Sequence, residues 1–365
     1  MSILLFIIIL AVLIIAHEFG HFIAAKRAGI RVDEFGIGFP PRLWKKKFGE
    51  TTYSINLFPV GGFVKIFGED PNEESTHGKD SGRSFVHKHK LIQTWVISAG
   101  IIFNLILAWI LISAGFMMGL PYSSSDPRYG DRVTGSALVI TSVVSGAPAD
   151  IAGLKTGDKI LALYGEGNAS LENPTTQSTK EFISTHSELR FAYLRDKEIR
   201  TLSMVPEGGI IEGKKGIGIS MDDSGMLKLP PLEALYAGTL STATLTTATA
   251  TGLAHFLKSI FIGQASFAEI SGPVGIVNIV SDASKQGFVY LLLLTALISI
   301  NLALINLLPF PALDGGRLLF ILIESIKRSP IKPVVANTAN AVGFILLILL
   351  MVVVTYHDIA KLLNG

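Results

Sequence analysis

Long unbroken apolar runs, rather than alternating ones, dominate the pattern of this chain. Four of them lie near Ile3 to Ala25, Gln93 to Gly119, Phe288 to Leu308 and Asn337 to Tyr356. Each reaches the roughly 20 residues that a helix needs to cross a bilayer at about 1.5 Å per residue. The first has no basic start and no small-residue cleavage site, and it runs through His17-Glu18-Phe19-Gly20-His21 into Lys26 and Arg27. It therefore reads as a retained span rather than a signal peptide.

Between the spans the pattern changes character. Glu34 to Glu69 alternates strand-like runs such as Thr51 to Ile55 with Gly and Pro, and carries Phe35, Phe39, Trp44, Phe58, Phe63 and Phe67. This predicts a β-hairpin lying against or dipping into the membrane, where strand edges must be satisfied by protein or by a wet cavity. From Asn72 to Lys90 the chain turns polar and charged, which predicts an exposed, mobile connector. Short β-rich runs at Ala137 to Val144 and Lys159 to Leu163, with a helix starting near Thr179, predict a small soluble domain over Val133 to Met221. Leu232 to Ile262 is apolar but studded with hydroxyls, and is expected to be an interfacial helix, since a fifth crossing would separate Asp314 from His17.

Composition supports a membrane protein: 49% of the 365 residues are hydrophobic, 16% are charged, and the mean hydropathy is +0.50. A net charge of +2 gives no basic surface of the kind that binds phosphate, so no nucleic-acid partner is expected. The loop from Lys26 to Ile92 holds 12 Lys and Arg, against 14 in the far longer stretch from Leu120 to Gly287. The denser loop, with Lys45 to Lys47 near anionic lipid, is expected on the cytoplasmic side, leaving the long loop outside. There is no cysteine, so any metal must be held by imidazole and carboxylate.

His17-Glu18-Phe19-Gly20-His21 supplies the imidazoles. Residues four apart share a helix face, so both rings reach one Zn2+, and Glu18 is offset to act as general base on a water. A catalytic zinc site usually has three protein ligands. The remaining candidate is Asp314, in Asn306-Leu-Leu-Pro-Phe-Pro-Ala-Leu-Asp-Gly-Gly, where two prolines end the third span and two glycines permit a sharp turn. Its alternative role is N-cap of a helix beginning at Arg317. Asn104, Asn301 and Asn306 are amides within apolar spans, where interhelical hydrogen bonding is the plain alternative to a part in the site. His77, His87 and His89 lack further ligands in register for a second metal site.

These motifs, with Asn56-Leu-Phe-Pro-Val-Gly-Gly-Phe-Val-Lys and Ser271-Gly-Pro-Val-Gly-Ile, resemble over nearly the whole chain the site-two protease family of intramembrane zinc metalloproteases, on its bacterial, sigma-factor-regulating branch. The resemblance implies zinc on His17, His21 and Asp314, Glu18 as catalytic base, and a re-entrant loop in which Gly61 and Gly62 pair with an unwound substrate strand. It implies substrate contacts from Asn104, Asn301 and Asn306. It also implies a single PDZ-like domain, through Val143 to Ala149 and Ala152 to Ile160, where the best-known relatives carry two. Ile101 stands where the family commonly has proline.

The expected fold is thus a polytopic helical membrane protein with four transmembrane helices, a membrane-associated β-hairpin loop and one extracytoplasmic PDZ-like α+β domain. Its parts are expected at 1–120 (two spans and the hairpin), 125–225 (PDZ-like), 226–287 (interfacial) and 288–365 (two spans and the Leu-Asp-Gly motif). The expected location is the bacterial inner membrane, with membrane lipid around it. The expected substrates are transmembrane proteins such as anti-sigma factors already clipped outside, or remnant signal peptides. A zinc or proton transporter and a catalytically silent PDZ scaffold use some of the same features. The first needs neither a PDZ domain nor a Glu beside its ligand, and the second needs no complete catalytic set.

Overall fold

The computed structural model describes residues 2–144, 146–195, 198–211, 214–263 and 272–364. The chain forms two compact units, one of residues 1–114 and 235–365 and the other of residues 115–234.

The first unit begins with α1 (Ser2–Arg27), apolar around its whole circumference. Its buried positions are Ile9, Leu13, His17, Gly20, His21, Ala24 and Ala25, a stripe at helical spacing down one face. Ile3, Leu4, Ile8 and Val12 stay exposed, as suits a helix bathed in lipid.

β1 (Val32–Phe48) and β2 (Thr51–Ile66) follow. Both are bent, so that Val32 to Ile37 pairs with Gly62 to Ile66 on one side and with Thr52 to Ile55 on the other. Thr51 to Asn56 pairs in turn with Arg42 to Phe48. Buried side chains stitch the layers: Thr51 Oγ1 donates to Val32 O at 2.8 Å and Asn56 Nδ2 to Gly38 O at 3.0 Å. Lys26 and Arg83 grip Glu50 at the turn, at 2.5 and 2.7 Å, and hold its carboxyl down at about 2.

The segment expected as a mobile connector is instead folded. It contains α2 (Glu73–His77) and two short 3-10 turns, with Ser75, Ser84 and Phe85 buried. Its charges are used internally: Arg31 bonds Asp33, Asp80 and Glu74 at 2.8, 2.8 and 3.2 Å and stacks on Phe67 at 3.6 Å. The Gln93 amide donates to the carbonyls of Phe85, Val86 and Lys88. Ion pairs to Arg31 and buried serines and Phe85 order the segment, although much of its polar surface still faces solvent.

α3 (Lys90–Met118) comes next. It packs on α1 so closely that a side chain at Gly20 would lie 2.4 Å from Ala99 O.

The second unit is sheet-rich. Its elements are β3 (Leu120–Ser123), β4 (Thr134–Val143), α4 (Pro148–Ile151), β5 (Lys159–Tyr164), β6 (Ser170–Glu172), α5 (Thr176–Thr185), β7 (Leu189–Arg195), β8 (Glu198–Met204), β9 (Glu207–Ile211), β10 (Lys214–Gly216) and β11 (Ile219–Leu227). The main sheet runs β3-β11-β4-β5-β7-β8, all antiparallel, with β6 on β5. Leu138, Ile140, Ile160, Leu163, Leu189 and Phe191 fill its core, and the pattern of alternate inward positions that predicted strands also makes this core. Asp158, buried beneath Arg195 at 2.5 Å, is satisfied by that pair and by Lys155 N.

The first unit resumes in α6 (Pro231–Phe261), α7 (Pro273–Gln286), α8 (Phe288–Leu307), α9 (Asp314–Lys327) and α10 (Pro333–Asn364). Ser271 of the quoted motif lies outside the described residues. Among the described residues four helices are long and apolar enough to cross a membrane: Ser2–Arg27, Lys90–Met118, Phe288–Leu307 and Pro333–Ala360. The last is longer than its apolar run because Pro333 starts it at a position that needs no N–H partner. Two apolar clusters flank the middle of α1, one of Ile9, Leu13 and Val280, the other including Ala24, Ala25, Ile66, Val96 and Ile321. His17 and His21 lie between them.

Candidate metal centre

The stripe that buries α1 places both imidazoles inward, one turn apart, with ring centroids 4.8 Å apart. Asp314 reaches them from the start of α9. It is not an N-cap: that position belongs to Leu313, and the carboxylate points at the histidines. Its Oδ2 lies 3.1 Å from His17 Nε2 and 3.3 Å from His21 Nε2, while the two nitrogens are 3.2 Å apart. Among the described residues this is the one group of three or more such side chains with converging ligand atoms. His77, His87 and His89 are instead engaged locally, with Thr76, Ser81 O and Leu91 N.

The triangle fits Zn2+. Zinc bonds to nitrogen and oxygen of about 2.0 to 2.2 Å in tetrahedral geometry separate ligand atoms by roughly 3.3 to 3.5 Å. Asp314 Oδ2 is buried and has no hydrogen-bond partner, although two imidazoles are at ion-pair distance. His21 Nδ1 donates to Val96 O at 2.9 Å, which fixes its lone pair on Nε2, facing the other ring nitrogen. Two ring nitrogens and a carboxylate oxygen converging in this way are the kind of donor set that holds a zinc ion.

Close approach is built in by glycine. A Cβ at Gly100 of α3 would lie 2.4 Å from His21 Nε2 and 2.7 Å from His17 Cε1. Cβ atoms at Gly315 and Gly316 would strike Leu308 O and Phe310 O at 2.1 and 2.2 Å, so the loop after α8 closes tightly onto the first turn of α9. Ala312, two residues before Asp314, has φ +74° and is held by Asn340 Oδ1, which accepts from its N–H at 3.2 Å. Arg317, one turn beyond Asp314, bonds the main chain of Glu69 and, at 2.8 Å, its carboxylate, tying the end of the hairpin to α9. Burial pushes the Glu69 carboxyl up, and the guanidinium opposes it.

Glu18 lies beside the triangle on α1, and the hairpin reaches it: a Cβ at Gly62 would be 3.3 Å from Glu18 Cγ and 3.1 Å from Ile14 Cγ2. Gly61 has φ +152°, which disfavours any side chain. The asparagines separate into three cases. Asn104 is wholly buried, with its amide 3.2 Å from His17 Nδ1. Asn301 is exposed and its Nδ2 donates back to Leu297 O at 2.9 Å. Asn306 is half-buried and makes no side-chain hydrogen bond among the described residues. Sequence reasoning missed Gly100 and Gly20 as parts of the site. The available signal was a pair of glycines, one in each of two apolar spans, one of them between the histidines.

The sequence profile of peptidase family M50 matches residues 5–350. The chain is 32% identical to the regulator of sigma-W protease RasP of Bacillus subtilis, over 99% of each protein. It is 31% identical to a putative zinc metalloprotease of Clostridium acetobutylicum, over 100% of this chain and 98% of that one. A putative zinc metalloprotease of Nostoc is 34% identical over 95% of this chain and 93% of its own length.

Proposed function

Because this chain belongs to peptidase family M50 and is a zinc metalloprotease of the membrane, we propose that it cuts transmembrane segments of other proteins with His17, His21 and Asp314 as metal ligands and Glu18 as general base. The observation that carries this is the meeting of two ring nitrogens and one carboxylate oxygen, 3.1 to 3.3 Å apart, beside Glu18. Bound Zn2+ supplies Lewis acidity and a water of lowered pKa at that point. Glu18, adjacent to His17 on the helix, takes the proton of the attacking water and returns it to the leaving amine.

A helical substrate hides its peptide bonds and must be unwound locally. In this reading the run Gly62 to Ile66, paired on one side with Val32 to Ile37, receives the unwound segment as an added strand. The absence of a side chain at Gly62 keeps that strand beside Glu18. Asn306, whose amide makes no hydrogen bond among the described residues, and Asn301 contact the substrate backbone. The sheet-rich unit is assigned as a single PDZ-like domain on the extracytoplasmic face of a bacterial inner membrane, and α6 as an interfacial helix. The Bacillus relative is named a regulator of sigma-W protease, and in this reading the substrates of this chain are membrane-anchored regulators of sigma factors, trimmed outside beforehand. Remnant signal peptides are the second class.

The test is cleavage of a model transmembrane substrate by the purified protein. Cleavage is expected to stop with a zinc chelator, resume on adding Zn2+, and fall about 100-fold or more in Glu18→Gln with zinc content unchanged. Chelator-resistant cleavage would overturn the proposal.

A further inference from the structure

α3 carries an unused feature that bears on the metal centre. Val96, Gly100 and Asn104 recur every four residues and so share one face, the face turned to His21 and His17. Val96 offers its main-chain carbonyl to His21 Nδ1 at 2.9 Å. Gly100 leaves the space that the two rings occupy. Asn104 lies 3.2 Å from His17 Nδ1 through Nδ2, and its own Oδ1, though buried, has no partner.

That arrangement is inconsistent with a His17 that binds metal. His17 Nε2 faces Asp314 Oδ2 and His21 Nε2, so its lone pair must be there and its proton on Nδ1. An amide N–H would then oppose a ring N–H. Oxygen and nitrogen of an amide are assigned from their hydrogen bonds, and turning this one gives Nδ1–H an acceptor and Oδ1 a donor at once. We infer that Asn104 is a positioning residue, whose side-chain carbonyl accepts the Nδ1–H of His17 and thereby fixes tautomer and ring angle for the metal. Its main chain is held in turn, since Ser299 Oγ of α8 donates to Asn104 O at 2.7 Å. The residue is completely buried, beside His17. The two ligands are thus oriented by one helix, His21 by a main-chain oxygen and His17 by a side-chain oxygen, and only the second can be removed by mutation.

This inference rests on the proposed zinc site, and the experiment separates the two. Zinc affinity of the full-length protein in detergent is measured by competition with a chromogenic chelator, together with the absorption spectrum of the Co2+ form and melting of the metal-free form. Asn104→Leu is expected to weaken zinc binding about 10–100-fold and to alter the Co2+ spectrum, while Asn104→Asp, which keeps an acceptor, stays within about threefold of the unaltered protein. Should the leucine variant fail to fold, Asn104→Ser, too short to reach His17, replaces it with the same expectation. Unchanged affinity in the leucine or serine variant, or an equal loss in Asn104→Asp, would overturn the role of Asn104. A failure of the zinc site itself reads differently: the unaltered protein would bind no zinc, or His17→Ala would bind as much.

Discussion

His17 and His21 stand on one turn of a regular helix, so their separation is fixed by helical geometry before anything packs against them. Asp314 is delivered differently, by a loop that breaks α8 with two prolines, passes through an alanine at φ +74° and turns back on two glycines with no room for a side chain. One side of the centre is rigid and needs only a neighbour that yields space. The other side is irregular and must be clamped, by Asn340 on Ala312 and by Arg317 on Glu69. The comparison shows where each side is vulnerable: the helix pair through its neighbour, the carboxylate through its own backbone.

The largest effect is expected on the helix side without replacing a proposed ligand. Gly100→Ala places a methyl 2.4 Å from His21 Nε2. Displacing the rings should cost about 100-fold or more in turnover and release zinc on dialysis. Zinc retained with full turnover would mean that α3 can recede and that the packing is not tight. Next comes the loop side. Asp314→Asn keeps the shape but loses the charge, and should weaken zinc binding by at least the roughly 10–100-fold that even outer contacts cost. Zinc content unchanged after dialysis would remove Asp314 from the ligand set.

A smaller loss is expected where the hairpin meets the rigid helix. With Gly61 and Gly62 both changed to Val, substrate cleavage should fall about tenfold, equivalent to about 1.4 kcal/mol of lost strand pairing, while zinc stays bound. Normal cleavage of several substrates would refute strand addition. The smallest effect is expected at Ala312→Gly. Relief of a left-handed alanine, about 1–2 kcal/mol, is partly offset by the freer unfolded chain, so a slight rise in melting temperature is expected. A marked fall would show that the alanine methyl itself packs against something essential.

The same contrast explains what was legible in the sequence. Hydropathy alone located the four long apolar helices, because a helix in lipid must be apolar along its length. Four-residue spacing made the two imidazoles readable as neighbours, and the Pro and Gly of Pro-Phe-Pro-Ala-Leu-Asp-Gly-Gly marked an irregular segment at Asp314. Gly100 was not legible as part of the site, since a glycine in an apolar span signals close approach without saying to what. Nor was the partner of Asn104, which depends on which face of α3 meets α1. The folding of the connector at 72–90 was not legible because charge content does not reveal that Arg31 pairs with Asp80 and Glu74. The fold-back of the hairpin, with Val32 to Ile37 paired on both sides, needs a register that alternation cannot supply.

The contact between His17 and Asp314 also sets a timetable for biogenesis. Translation reaches Asp314 long after the two histidines have left the ribosome, at about 5–20 residues per second, a delay on the order of 15 to 60 s. Throughout that interval the first span carries two imidazoles and a glutamate without their carboxylate partner. A nascent chain that has not yet reached Asp314 therefore lacks one of the three side chains of the His17, His21 and Asp314 group.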